Sequence, residues 1–464
     1  MAAITDASLF DKNQFNRTIK LLALNAPAKL CTEYIKNFKK YLFDRPRIRR
    51  ILDIPGDNSR RLLLLDESLL KEKVAEMPGD VILPEDLKIF NNQHGVTLEY
   101  YNLAVGYEHT PMDEVLKKLL PSAITEIPSA YEQAGTIAHL NLRDEVLPYK
   151  YIIGQVIIDK VPTIKTVVNK VGMIETEYRT FPMELIGGIN DYSVKIRESG
   201  INIIYNSTAV AHLFVYLGAT FQFNFGEVYW NSRLQREHER LIDLITNSKR
   251  EPAKKKIIVA DMMAGIGPFA IPLAIKPGHQ VYANDLNPAS YKYLLSNTKL
   301  NHCEARLHSF NLDGRDFIHH LVDQKVFFQE VILNLPQSAV QFLDVFVGLH
   351  RKYHHDDSAL SHTDFVLPRI HVYSFTNNME QPVLSVVEDV AKVLGCSIAD
   401  LGYDNSIITV SDQDSLMIPC HGHIVRDVAP RKLMICVSFT LPKSVALKEP
   451  VITVTNVNKK QRLN

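Results

Sequence analysis

The chain has 464 residues, of which 46% are hydrophobic, and its 52 lysines and arginines are balanced by 52 aspartates and glutamates. A single core stops growing at roughly 250 to 300 residues, so one domain is excluded and two or three are expected. The zero net charge gives no sign of a polyanion-binding protein. A nucleic-acid partner would therefore need basic residues that are gathered locally.

The first 120 or so residues are expected to form a unit of mixed secondary structure. This segment contains a basic cluster with two aromatic residues interleaved, made of Lys36, Lys39, Lys40, Arg45, Arg47, Arg49 and Arg50 with Tyr41 and Phe43. Such a cluster suits contacts with phosphates, and we take Arg45, Arg47 and Arg49 as candidate RNA-binding residues. A solvated helix face is an equally good interpretation.

Short β-rich pieces follow between residues 130 and 245. They are GQVIIDK, YRTFPMELIGG, YSVKIRESG, INIIYNST and ATFQFNFGEVYW. Together they predict a compact α+β domain. Within the last piece, Tyr229 and Trp230 are placed either to stack on an unpaired base or to fill a core.

The polar and charged stretch NSKREPAKKK, residues 247–256, is typical of a linker or long surface loop. We therefore predict three domains, over residues 1–125, 126–246 and 247–464.

After the linker, strand and helix patterns alternate. KIIVADMM, QVYANDLNP, ARLHSFNLDGRDF, EVILNLP and RIHVYSF are predicted strands, and PFAIPLAI and SYKYLLSNTKL are predicted helices. This alternation predicts an α/β fold with a doubly wound, mostly parallel, Rossmann-like sheet. The chain then closes with HGHIVRDVAP and KLMICVSFTL around a Pro-Arg turn, which predicts an appended antiparallel hairpin.

A glycine-rich turn follows the first of these strands. Gly265-Ile-Gly267-Pro-Phe-Ala fits the pattern G-x-G-x-x-G/A, which lets a backbone approach a nucleotide cofactor closely. Asp285 follows about twenty residues later, at the end of the next strand, where a carboxylate can accept both ribose hydroxyls. This combination serves NAD and S-adenosylmethionine equally well.

Three further features favour S-adenosylmethionine. Asp261 ends the first strand, where it can face the cationic amino group of a methionyl moiety and would repel the phosphates of a dinucleotide. Asp313-Gly314 closes the third strand, at the height of an adenine edge, and Asn334-Leu-Pro closes the fourth beside the methyl donor. Taken singly, each acid is equally well explained as a solvated loop carboxylate; the ordered series favours a methyltransferase.

The series DMMAGIGPFAIPLA, YANDLNPAS, FNLDGRDF and ILNLP resembles the tRNA (guanine-37-N1)-methyltransferase family of eukaryotes and archaea, whose catalytic domains are class I S-adenosylmethionine-dependent methyltransferases. It is preceded by GTIAHLNLRDEVLPYKYIIGQVIIDK, FPMELIGG and VYWNSRLQREHER. The resemblance runs from about Gly135 to Thr440. It implies methyl transfer from S-adenosylmethionine to N1 of the guanine on the 3′ side of the anticodon of tRNA.

The resemblance also implies that 1–125 is an N-terminal tRNA-recognition domain, that 126–246 is an α+β domain contributing RNA-binding and catalytic residues, and that 247–464 is the Rossmann-like methyltransferase domain. It further implies roles for individual residues. The catalytic candidates are Glu237, Arg197 and Asn334, and Arg233 joins the RNA-binding candidates. The cofactor-binding candidates are His238, Asp261, Met263, Gly265, Gly267, Asp285, Leu286, Asn287, Asp313, Gly314 and Asn334. The chain departs from the family at Ser232, where proline is usual and a looser loop is expected, and at Met263, where an aromatic residue is common.

The chemistry explains why such residues are needed. N1 of guanine carries a proton, so a general base must lie within about 3 Å of it, and Glu237 is the candidate. Negative charge then spreads to O6, which the planar guanidinium of Arg197 can meet. Asn334 can hold the guanine edge as donor and acceptor. The residues alone also allow an ion pair of Glu237 with Arg233 or Arg240, a phosphate or surface contact for Arg197, and a loop-stabilising amide at Asn334.

Two other functions remain as alternatives, an NAD-dependent oxidoreductase and a catalytically silent RNA-binding scaffold. Five scattered cysteines without a C-x-x-C pair predict reduced, intracellular thiols, and no metal is expected. No apolar run approaches the roughly 18 residues of a membrane helix, so no membrane partner is expected. We expect a monomer in cytoplasm and nucleus, with the resemblance suggesting a mitochondrial matrix pool.

Overall fold

The computed structural model describes residues 10–66, 83–128, 130–171, 182–191, 193–198, 218–247, 256–353, 367–404 and 419–449. They fall into two units, one drawn from Met1–Val171 with Met183–Asp191 and the other from Gly172–Pro182 with Tyr192–Asn464. The predicted middle domain, 126–246, contributes residues to both units; the three-domain division stays a prediction. Among the described residues, no helix has both the length and the apolar character needed to cross a membrane.

The first unit begins with a four-stranded antiparallel sheet in the order β2-β3-β1-β4. Its strands are β1 (Arg17–Pro27), β2 (Ile51–Ile54), β3 (Asp57–Leu64) and β4 (Thr97–Val105). Consecutive residues of β1 are buried, because Leu22 and Leu24 pack in one apolar cluster while Leu21 and Ala23 pack in another on the opposite face. Three helices belong to this part of the chain: α1 (Cys31–Asn37), α2 (Glu85–Gln93) and α3 (Met112–Leu119).

A second four-stranded sheet completes this unit, in the order β5-β6-β7-β8. Its strands are β5 (Glu132–Ala134), β6 (Ile137–Leu140), β7 (Thr166–Lys170) and β8 (Met183–Gly188). Strands β6 and β7 are parallel, so the chain must cross over between them, and α4 (Lys150–Lys160) is that crossover.

The β-rich interpretation of GQVIIDK is therefore wrong, because residues 154–160 lie within α4. A short apolar run rich in β-branched residues does not distinguish a strand from a buried helix. Ile153, Val156 and Ile157 are fully buried, which is the spacing of one helix face. A Cβ at Gly154 would lie 2.2 Å from the carbonyl oxygen of Ile186, so glycine lets α4 approach β8 closely.

The second unit begins with an antiparallel pair, β9 (Ser193–Glu198) and β10 (Ala219–Asn224), followed by α5 (Gln235–Thr246). The backbone N–H groups of Thr220 and Gln222 in β10 donate to the side chains of Asn301 and Asn297 at 2.7 and 2.8 Å. These bonds attach the pair to the rest of the unit. The predicted strand INIIYNST, residues 201–208, lies outside the described residues.

The main sheet of the second unit has seven strands in the order β13-β12-β11-β14-β15-β17-β16. They are β11 (Ile257–Asp261), β12 (His279–Asn284), β13 (Leu307–Phe310), β14 (Glu330–Leu333), β15 (Arg369–Thr376), β16 (Cys420–Ala429) and β17 (Lys432–Thr440). The first five are parallel, and β17 and β16 are antiparallel. The predicted doubly wound sheet with a terminal hairpin is confirmed.

The helices that follow these strands are α6 (Ala270–Ile275), α7 (Pro288–Leu300), α8 (Gly314–Asp323), α9 (Leu349–Tyr353), α10 (Pro382–Leu394) and α11 (Lys443–Ala446). Side chains of α8 and α10 form an apolar core with one face of the sheet. Strand order reverses between β11 and β14. In such a sheet, ligands bind in the crevice at the carboxyl ends of the strands around that reversal.

Candidate active site

Two carboxylates lie at the carboxyl ends of the adjacent strands β11 and β12. Asp261 is the last residue of β11, and Asp285 directly follows β12. One oxygen of Asp285 accepts from the backbone N–H of Gly265 at 2.8 Å, and the other accepts from that of Asn287 at 2.9 Å. Asp285 therefore fixes the glycine turn to the carboxyl end of β12. The predicted combination of the glycine motif with Asp285 requires this proximity.

The glycines are required by the backbone of this turn. Gly265 and Gly267 have φ of +56° and +102°, in the left-handed region that other residues rarely adopt. At Gly267, a Cβ would also lie 2.8 Å from Ile271 and 2.9 Å from Leu294. The turn thus presents bare backbone at the crevice.

Asp261 is completely buried, and neither of its oxygens has a hydrogen-bond partner among the described residues. Burial, and then the neighbouring carboxylate of Asp285, raise the pKa of Asp261 to about 8. The backbone amide of Met263 opposes this shift from a position that does not meet normal hydrogen-bond geometry. Burial likewise raises the pKa of Asp285, against the Asn287 and Gly265 amides. Two close acids with raised pKa values form a place where a cation is favoured.

Asn284, the last residue of β12, was missed by the sequence analysis. Its amide nitrogen donates to the carbonyl oxygens of Met262 and Leu312 at 3.1 and 2.9 Å, and its oxygen accepts from the Leu312 N–H at 2.9 Å. It ties together the ends of three strands. A polar residue ending an otherwise buried strand was the available signal.

Several predicted cofactor residues also have structural contacts of their own. Asp313 accepts from the Arg315 N–H at 2.8 Å and caps α8, and Asn287 accepts from the Ala289 N–H at 2.9 Å and caps α7. Gly314 is buried where a Cβ would lie 3.2 Å from the Phe342 ring. Capping occupies one oxygen of each side chain, so their cofactor-binding roles stay predictions.

The remaining predicted residues of the crevice differ in exposure. Met263 is partly buried against the apolar core, whereas Leu286 is 42% exposed. Asn334 follows β14 directly, is half-buried, and makes no side-chain hydrogen bond within the described parts of the chain. The alternative that Asn334 stabilises its own turn is therefore not supported.

Glu237 is in the first turn of α5 and is 5% exposed. Arg240 donates two hydrogen bonds of 2.7 Å to it, one from Nε to Oε2 and one from Nη2 to Oε1. The ion pair that the sequence allowed with Arg240 is therefore present. The buried guanidinium supplies the counter-charge that a buried carboxylate needs, and it opposes the arrival of a proton on that carboxylate.

Two residues of the main sheet also contact Glu237. The Tyr373 hydroxyl, on β15, donates to Oε1 at 2.8 Å, and Nε2 of His423, on β16, lies 3.4 Å from Oε2. Neither contact was predicted, because β15 lies more than a hundred residues after α5 in the sequence, and β16 lies further along the chain still. We call Glu237, Arg240, Tyr373 and His423 the carboxylate cluster.

Phe269 links this cluster to the glycine turn. Its ring centroid lies 6.0 Å from that of Tyr373 and 4.8 Å from that of His238, which neighbours Glu237 on α5. His238 is buried and also lies 6.5 Å from Trp230. Phe269, a residue of the glycine motif, thus packs between the helix of the candidate base and the strand that contacts that base.

Trp230 and the loop before α5 are well fixed. Trp230 is 9% exposed and packs against Phe221 and Phe223 of β10, so it belongs to the core, whereas Tyr229 is 47% exposed. Asn231 accepts from the Arg233 N–H at 3.1 Å and caps the short 3-10 helix Ser232–Leu234. This cap holds the loop at the position where the family has proline, and the looser loop expected at Ser232 stays a prediction.

The remaining candidates for RNA contact are described in part. Arg197 lies on β9, opposite Thr220 of β10, and its side chain is outside the described part of the structure. Arg233 is exposed.

In the first unit, three arginines of the basic cluster differ in their contacts. Arg45 lies 3.5 Å from Glu114, Arg47 donates to the Asp159 carbonyl at 3.3 Å, and Arg49 is exposed without an ion pair to any described residue. Among these arginines, Arg49 is thus the one most available for phosphate.

The strand order, the terminal hairpin, the glycine turn and the acids on β11 and β12 define a Rossmann-like methyltransferase domain. A family model described as the TRM5/TYW2 methyltransferase domain matches residues 214–398, and one described as the TYW2 N-terminal domain matches residues 112–191. A crystal structure of Trm5b from Pyrococcus abyssi has this fold, with a TM-score of 0.56, 21% identity, and coverage of 90% of this chain and 99% of that one.

Curated relatives give the family. A Phytophthora infestans protein named tRNA (guanine(37)-N(1))-methyltransferase is 39% identical, over 94% of this chain and 93% of its own length. A Homo sapiens protein of the same name is 33% identical, over 94% of this chain and 77% of its own length. The chain belongs to the tRNA (guanine(37)-N(1))-methyltransferase family, and the resemblance found in the sequence is confirmed.

Proposed function

We propose that this protein transfers the methyl group of S-adenosylmethionine to N1 of guanine 37 in tRNA. The observation that carries the proposal is the packing of Phe269, within the glycine motif, against Tyr373 of the carboxylate cluster and against His238 beside Glu237. It brings a site suited to a cationic nucleotide-like donor next to a buried carboxylate. The names of the relatives identify the acceptor.

The donor site suits S-adenosylmethionine better than NAD. Asp261 is a fully buried acid without a hydrogen-bond partner among the described residues, beside a second acid, Asp285. An ammonium group would supply the missing partner, whereas a pyrophosphate would add negative charge to two carboxylates. Asp285 holds the glycine turn and has further acceptor capacity for ribose hydroxyls. When bound, S-adenosylmethionine supplies an activated methyl group on a sulfonium centre.

Glu237 is the proposed general base. Glu237 is buried and paired with Arg240, so a proton from guanine N1 passes to it in a site with little water. The Arg240 pair makes this transfer harder, and stabilisation of the charge that develops on O6 offsets that cost. We assign that task to Arg197 and the holding of the guanine edge to Asn334.

The tRNA contacts are assigned to basic residues of both units. Arg233 and Arg49 are exposed and suited to phosphates, and Arg45 and Arg47 join them as candidates with contacts that tRNA would have to share. The monomeric state, the distribution over cytoplasm, nucleus and mitochondrial matrix, and the absence of a membrane partner remain predictions of the sequence.

Analysis of modified nucleosides tests the proposed function. Unmodified tRNA incubated with the protein and S-adenosylmethionine should yield 1-methylguanosine, and a transcript with adenosine at position 37 should yield none. Equilibrium binding should detect S-adenosylmethionine and not NAD. A different modified nucleoside, or methylation that persists without guanosine 37, would contradict the assignment. Binding of tRNA without any modification would favour the silent scaffold.

A further inference from the structure

The carboxylate of Glu237 has two contacts on each oxygen. Oε1 accepts from Arg240 Nη2 at 2.7 Å and from Tyr373 at 2.8 Å, and Oε2 accepts from Arg240 Nε at 2.7 Å and lies 3.4 Å from His423. A carboxylate has about four acceptor sites. A guanine N1–H therefore reaches this base only by replacing one of the contacts.

The His423 contact is the one that yields most easily. It is the longest of the four, and 38% of the His423 side chain is exposed, compared with 10% for Arg240 and complete burial for Tyr373. Replacing Arg240 would leave a buried cation without its counter-charge. The imidazole, part of which already faces solvent, can instead move away from Oε2.

Resting on the proposed function, we propose that His423 is the proton-exit residue of the site, which leaves Oε2 when guanine 37 enters and removes the proton from Glu237 after methyl transfer. During transfer, the N1–H bond breaks and an Oε2–H bond forms, while the methyl carbon leaves sulfur for N1 and sulfur keeps the electron pair. The methylated base has no N1 proton to hold Oε2. His423 then returns, accepts the proton at Nε2, and passes it to water.

None of the neighbouring groups named below is suited to take up and release the proton, so His423 is the proton carrier among them. From α5, Arg240 stays charged, and a protonated Glu237 would leave that guanidinium without its counter-charge, which favours loss of the proton. Burial raises the pKa of Tyr373, on β15, well above its usual range and that of Cys436, on β17, to about 11, so both keep their protons. Burial and Arg369 lower the pKa of His421, on β16, to about 3, so it stays neutral.

The test compares one turnover with many in the full-length protein. His423→Ala should keep a single-turnover rate within about twofold of the parent, because the first proton needs no exit. Its steady-state rate in dilute buffer should fall about tenfold or more, and added imidazole should restore it. His423→Gln keeps bulk and polarity but carries no proton, so it should show the same steady-state loss without rescue.

Two matched variants separate this role from packing. Tyr373→Phe removes a contact of Glu237 that solvent does not reach, so its defect should appear in single turnover and imidazole should not restore it. Ile424→Thr changes the exposed neighbour of His423 on β16 and should leave both rates unchanged.

A normal steady-state rate in folded His423→Ala, or an equal loss in both regimes without rescue, would overturn the proton-exit role. Failure of the proposed function looks different, because the parent protein would then form no 1-methylguanosine.

Discussion

Asp261 and Glu237 are both buried acids of the second unit, and they are satisfied in opposite ways. Asp261 is 0% exposed and has no hydrogen-bond partner among the described residues, whereas Glu237 is 5% exposed and has contacts from Arg240, Tyr373 and His423. A buried acid without a partner is costly unless it takes up a proton or meets a cation. Under the proposed function, a ligand supplies the missing partner of Asp261, whereas Glu237 must exchange a contact in order to react.

The largest expected effect on the rate comes from changing Glu237, the acid that already has hydrogen-bond partners. Glu237→Gln keeps the shape of the side chain but removes the proton acceptor, so the single-turnover rate should fall by roughly 10² or more. Affinity for S-adenosylmethionine and tRNA should change little. Single-turnover kinetics with both affinities measured in parallel would check this, and a near-normal rate would show that Glu237 is only the ion-pair partner of Arg240.

Arg197 extends the comparison to charge that exists only during the reaction. Arg197→Ala should lower the single-turnover rate by about tenfold or more while tRNA affinity and its salt dependence barely change. Arg197→Lys should restore little, because the planar fork and not the charge alone meets O6. Weaker tRNA binding with a flatter salt slope and an intact saturated rate would instead identify a phosphate contact.

Asp285 lies beside the unsatisfied acid, and its loss should affect binding. Asp285→Ala should weaken S-adenosylmethionine binding by about tenfold or more, since each hydrogen bond to a charged acceptor contributes about 1.5 to 3 kcal/mol. Asp285→Asn keeps one acceptor for the Gly265 amide and should lose less. Calorimetric binding on folded variants measures both, and unchanged affinity in Asp285→Ala would remove this residue from the donor site.

The smallest expected effect is on stability at Asp261. Its pKa is raised from 3.8 to about 8, so between these values the folded protein holds a proton that the unfolded chain has lost, and stability falls as pH rises. Asp261→Asn removes this dependence. Without cofactor, its melting temperature should exceed that of the parent by about 2 °C or more at pH 8, with a smaller difference at pH 5. A difference that does not grow with pH would contradict the raised pKa.

Much of the second unit could be predicted because local sequence patterns indicate its strands and helices. Strands β11 and β17 are apolar runs, and Gly265, Gly267 and Asp285 are fixed by the short-range geometry of the turn that follows β11. The run GQVIIDK was misjudged because a short apolar run gives the same local pattern in a strand and in a buried helix. The close approach of Gly154 to β8 involves a segment distant in sequence, so the local pattern does not reveal it.

In the carboxylate cluster, one contact of Glu237 could be predicted from the sequence and two could not. Arg240 is three residues from Glu237, so their pairing follows from helix geometry. Tyr373 and His423 reach the same carboxylate from β15 and β16, and their approach depends on strand order and on which face each residue occupies. Neither is visible in a local pattern.

The most direct test of the central claim is the pH dependence of single-turnover methyl transfer by the parent and by Glu237→Gln. If Glu237 takes the N1 proton, the parent rate should rise with pH and then level off. Glu237→Gln should lack that rise and remain slower by roughly 10² on the plateau. A Glu237→Gln protein that keeps both the rise and the rate would contradict the account.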